Sequence, residues 1–85
     1  MNNLKTILKN DMKLAMKAKD KTKLGILRVV IAEISREEAG LKELNEVETI
    51  SLLTKLVKNL KDIDDEKTQE EVKILKSYYE RKLLF

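Results

Sequence analysis

Large apolar residues recur at spacings of three and four along almost the whole chain, which restricts it to helices that each bury one side. At about 3.6 residues per turn, Leu4, Ile7, Leu8, Met12, Leu14, Ala15, Met16 and Ala18 share one broad arc, predicting a helix over residues 3–18. The stretch from Leu24 to Ile34 is apolar around much more than half of its circumference. A helix over residues 21–39 is therefore expected to be the central element, packed on more than one side. Ile50, Leu53, Val57 and Leu60, widened by Leu52 and Leu56, predict a third helix from residue 46 to about residue 62. Val72, Leu75 and Tyr79, with Ile74 and Tyr78 beside them, predict a fourth over residues 69–82.

Local signals mark the ends of these segments. Asp20 is suited to accept hydrogen bonds from the free amides of the second helix, and Gly40 to end that helix in a left-handed cap. Asn45-Glu46-Val47-Glu48 has the form of a capping box that starts the third helix. The acidic stretch Asp62-Ile63-Asp64-Asp65-Glu66 reads as a connection or as the solvated middle of one long helix. A second capping-box pattern, Thr68-Gln69-Glu70-Glu71, argues for a break with a restart at residue 69. The chain has no Pro and two Gly, and more than half of it is Ala, Glu, Lys, Leu or Arg, so strands are disfavoured. The expected fold is all-α: a small antiparallel helical hairpin or bundle of about four helices, forming one domain over residues 1–85. A chain of this length buries only about 60–65% of the surface its unfolded form exposes, so its stability should be modest.

The absence of His and Cys removes imidazole and thiolate metal sites, Cys nucleophiles and proton transfer through His. No metal and no cofactor is expected. Asp62, Asp64, Asp65 and Glu66 lack the glycine and the ligand spacing of a calcium loop and read as a solvated acidic turn. The start Met1-Asn2-Asn3-Leu4-Lys5 lacks the pattern of a signal peptide. The most apolar stretch is only eleven residues long and contains Arg28 and Glu33, short of the roughly 20 needed to cross a bilayer. A cytoplasmic protein without membrane association is expected.

Charge is unevenly distributed. Residues 1–30 hold eight Lys or Arg against Asp11 and Asp20, and the rest of the chain holds ten against thirteen acidic residues. Lys5, Lys9, Lys13 and Lys17 follow one another at i, i+4 on the side of the first helix opposite its apolar arc, and Lys21 continues the row. Asp11 lies inside the apolar arc and needs a partner. In an antiparallel hairpin turning near Asp20, Arg28 lies opposite it, so a structural Asp11–Arg28 ion pair is expected. Met12, Met16 and Leu8 read as core, and of Tyr78 and Tyr79 one ring is expected in the core and the other at an edge or contact.

Three groups of residues together resemble the YqeY family. They are Leu8-Lys-Asn-Asp11-Met12-Lys-Leu-Ala15-Met16-Lys17-Ala-Lys-Asp20, then Leu24 to Arg28, then Glu37-Glu38 with Lys42-Glu43-Leu44. The resemblance runs from about Leu4 to Lys61. Members of that family are similar to the carboxy-terminal helical and tail regions of GatB, the tRNA-binding subunit of glutamyl-tRNA(Gln) amidotransferase. Family members continue into a second, tail-like helical domain associated with tRNA, which is expected to be absent here. Where the family has an Ile-Leu-x-x-Tyr-Leu-Pro segment, this chain reads Ile74-Leu75-Lys76-Ser77-Tyr78-Tyr79-Glu80, without the proline. That difference suggests a naturally reduced form, in which Leu83, Leu84 and Phe85 fold back or meet another chain.

The resemblance implies a role near tRNA amidation. The family also carries a carbon–nitrogen ligase description with glutamine as amide donor, but no Gly-rich phosphate loop or Ser-His pairing stands here to perform it. A non-catalytic accessory protein is therefore expected, contacting tRNA or a tRNA-amidation complex through Lys5, Lys9, Lys13, Lys17 and Lys21. The plainer reading of those lysines is a solvated helix face. The rival function is a protein-interaction or homo-oligomeric module whose interface includes Tyr78, Tyr79, Leu83, Leu84 and Phe85.

Overall fold

The computed structural model describes residues 3–40 and 43–80, which form four α-helices: α1 (Leu4–Lys17), α2 (Lys21–Glu38), α3 (Glu46–Leu60) and α4 (Glu66–Ser77). Asn3 caps α1, its side-chain oxygen accepting from the Thr6 amide and from the Thr6 hydroxyl, each at 2.9 Å. The turn into α2 closes with Asp20 N–H donating to the Ala15 carbonyl at 2.9 Å and Lys19 N–H to the Met16 carbonyl at 3.2 Å. That bonding requires a left-handed residue between the helix and Asp20, and Lys19 takes it with φ of 58°. Asp20 then serves the next helix, accepting from the Lys23 amide at 3.2 Å.

The capping box of α3 is present in both directions. Glu48 N–H donates to the Asn45 side chain at 2.8 Å, and Asn45 N–H to the Glu48 carboxylate at 3.1 Å. The acidic stretch is a break between α3 and α4, but the restart comes one turn earlier than the Thr68 pattern suggests. Asp65 is the cap, accepting from the Thr68 amide at 3.4 Å and the Thr68 hydroxyl at 3.3 Å. Its carboxylate reaches the first-turn amide before Thr68 can act as a cap, so α4 begins at Glu66 and Thr68 is buried within its first turn. Gly40 also differs from expectation. No described glycine has a positive φ, and α2 ends through a tight turn in which Gly40 N–H donates to the Glu37 carbonyl at 3.4 Å.

The short connections make α1–α2 and α3–α4 antiparallel hairpins. Central α2 packs on all three other helices, and α1 also meets α3. Leu4, Leu8, Ile26, Leu27, Val30, Ile34, Leu53, Val57, Leu75 and Tyr79 form the core. The buried stripe of α1 is narrower than its apolar arc: Leu8 and Ala15 are buried, whereas Leu14 is 60% and Met16 50% exposed on its flanks. On α2 the burial of Ile26, Leu27, Val30 and Ile34 leaves Gly25, Arg28, Val29 and Ala32 on the solvent side.

That rotation of α2 overturns the expected Asp11–Arg28 pair. Arg28 is exposed, and the pair is not among the ion pairs formed by the described residues. Asp11 instead accepts a hydrogen bond from the Tyr78 hydroxyl at 2.7 Å. At the far end of the bundle, the Leu4 amide donates to the Glu46 carboxylate, so one acidic side chain serves the first turns of both α1 and α3.

Candidate nucleic-acid interface

The five lysines of the row divide into two groups. Lys5 turns inward, its side chain only 12% exposed, and its ammonium lies 2.5 Å from the Glu38 carboxylate and 3.6 Å from that of Glu43. The hydrogen bond to Glu38 raises the Lys5 pKa above its ordinary value, and the same bond, with a second from the Leu44 amide at 3.0 Å, lowers that of Glu38. Lys5 therefore fastens the start of α1 to the end of α2 and to the loop that follows. A periodic row of lysines conceals such a difference. Counting outward from the turn at Asp20 places Lys5 opposite Ile34, one turn short of Glu38.

Lys9, Lys13, Lys17 and Lys21 are exposed, and none of them is in an ion pair with a described residue. The single acidic residue of α1 is Asp11, which is partly buried and engaged by Tyr78. Exposed Asn3, Thr6 and Asn10 add only neutral groups to the outer surface of the helix. Three lysines thus stand about 6 Å apart in rise along α1, as i, i+4 positions do, with no carboxylate of their own helix beside them and Lys21 beyond the turn. Such a face can neutralise successive phosphates, but it has no ring on which to stack a base. Tyr79 is 7% exposed in the core and Tyr78 is partly buried against Asp11, so both belong to internal packing. Leu83, Leu84 and Phe85 lie outside the described residues.

Burial, the hydrogen bond to Asp11 and the Asp11 charge all hold the Tyr78 hydroxyl above its ordinary pKa, which keeps it a donor. An open cleft of about 690 Å³ is lined by Thr22, Glu66, Lys67, Gln69, Glu70 and Lys73. Among the described residues no cluster of carboxylates is placed to hold a metal ion, and no helix is long and apolar enough to cross a membrane.

The fold and this surface define a small helical protein with a basic helix face whose exposed lysines form no ion pair among the described residues. The family model described as Yqey-like protein matches residues 5–84, and the chain belongs to that family. The match continues past Lys61, where the sequence resemblance ends, and takes in α4. No curated protein and no solved structure matches the chain.

Proposed function

We propose that this protein is a non-catalytic accessory factor that binds tRNA, or a complex handling tRNA, through the outer face of α1 and the start of α2. The observation that supports this reading is the pairing of opposites in α1. Its one carboxylate, Asp11, is turned onto Tyr78, while Lys9, Lys13 and Lys17 stand exposed without an ion-pair partner among the described residues. Lys21 extends the same charge beyond the turn. Contacts of this kind read the phosphate backbone rather than base sequence, so affinity should fall steeply as salt rises.

The test is the affinity of the protein for bulk tRNA at low and near-physiological salt, with heparin as an unrelated polyanion. Binding that prefers tRNA, weakens with salt and is lost in the Lys9→Glu, Lys13→Glu double variant supports the reading. Equal binding to heparin, or none to tRNA, transfers the function to a protein-interaction module.

A further inference from the structure

The α3–α4 hairpin carries a groove of about 260 Å³ beside its connecting turn, remote in sequence from the lysine face. Leu60, Ile63 and Val72 supply its apolar walls, Lys61, Lys73 and Lys76 its charge, and among the described residues no carboxylate lines it. Such a groove suits an apolar anchor flanked by negative charge. The same turn presents that anchor outward: Ile63 is 49% exposed and stands between exposed Asp62 and Asp64. The backbone on both sides of Ile63 is tied, its N–H donating to the Leu60 carbonyl and its carbonyl accepting from the Asp65 amide, each at 3.1 Å. None of Lys61, Lys73, Lys76, Asp62 and Asp64 is in an ion pair with another described residue. Ile63 is therefore shared, lining the groove while half of it stays exposed, and the opposite charges around it form no ion pairs among the described residues.

We propose that this hairpin end is a self-complementary surface on which a second copy of the chain docks about a two-fold axis. Ile63 of each copy enters the groove of the other against Leu60 and Val72, and Asp62 and Asp64 meet the opposing Lys61, Lys73 and Lys76. A surface that carries both halves of its own contact is what an isologous dimer requires. The groove accepts one or two aliphatic side chains, so the contact falls below the standard interface size and forms a weak, concentration-dependent dimer. Its polar component is ionic and exposed, so salt weakens it.

Sedimentation of the whole chain from micromolar to millimolar concentration tests this directly. The expected mass rises from 9.9 kDa towards twice that value, and added salt moves the midpoint to higher concentration. Ile63→Asp should move the midpoint at least tenfold. The Lys73→Glu, Lys76→Glu pair of changes and the Asp62→Lys, Asp64→Lys pair should each give a monomer alone, and mixing the two variants should restore the dimer. A monomeric mass throughout overturns the proposal, as does an association that all three variants leave unchanged. Far-UV circular dichroism confirms that each variant is folded, and the mixing experiment decides the matter even if one variant is less stable.

Discussion

The Tyr78 hydroxyl donates to the Asp11 carboxylate at 2.7 Å, across 67 residues of sequence. It joins the end of α4 to the middle of α1, two helices whose backbones do not come close to one another. Removing the hydroxyl leaves a partly buried carboxylate without its donor while keeping the ring. Tyr78→Phe is therefore expected to destabilise the fold by about 1–2 kcal/mol, measured by urea or thermal unfolding. The raised pKa of Tyr78 sets the sign of its pH dependence. The bond contributes fully below the ordinary tyrosine value of 10.0 and is lost as pH rises beyond it. The alkaline decline should be shallower in the Phe variant.

Glu38 acts at the opposite limit of pH. Its carboxyl is lowered from an ordinary 4.5 by Lys5 and the Leu44 amide, so the stability it contributes is present above that value and lost as pH falls through the folded one. Glu38→Gln should lower stability at neutral pH and flatten the acid limb. Unfolding midpoints measured from pH 7 down to pH 3 would check both statements.

Lys19 occupies a backbone conformation that costs an L-residue about 1–2 kcal/mol and glycine little. Part of that gain is offset by the greater freedom of glycine in the unfolded chain. Lys19→Gly is expected to stabilise the protein by about 0.5–1 kcal/mol, seen as a rise in the thermal midpoint. A fall would mean that the lysine side chain contributes more than its strained backbone removes.

Lys5 and Lys9 should separate in function although they stand one turn apart. On the proposed tRNA-binding role, Lys5→Met is expected to reduce stability and leave affinity for tRNA and its salt slope unchanged, because its charge is already held by Glu38 and Glu43. Lys9→Met should leave stability unchanged and lower the salt slope by a little under one. The comparison needs one salt titration and one melt for each variant.

Features fixed within a few residues of chain were legible in the sequence: the four helices, Asp20 as a cap, the Asn45–Glu48 box and the break after α3. Thr68 was one turn out because Asp65 accepts from the amide of Thr68 itself, which puts Thr68 inside the first turn. The Asp11–Arg28 expectation used the right hairpin and the wrong rotation. How α2 turns about its axis is decided by Ile26, Leu27, Val30 and Ile34 burying together, and that directs Arg28 to solvent. The lysine row was visible as a periodicity, but which members are exposed depends on where Glu38 ends its helix. The sequence assigns one of Tyr78 and Tyr79 to an edge without telling which, and the partner of Tyr78, 67 residues away, carries no local mark.

The bond from the Leu4 amide to Glu46 gives the assembly a built-in reporter of its own order of formation. Each hairpin closes through contacts between neighbours in sequence, which form quickly, whereas Leu4 and Glu46 meet only when the two hairpins have come together. An amide in the first turn of an isolated helix is open to water and exchanges its hydrogen freely. Slow exchange at Leu4 would therefore time the joining of the two halves rather than the formation of α1.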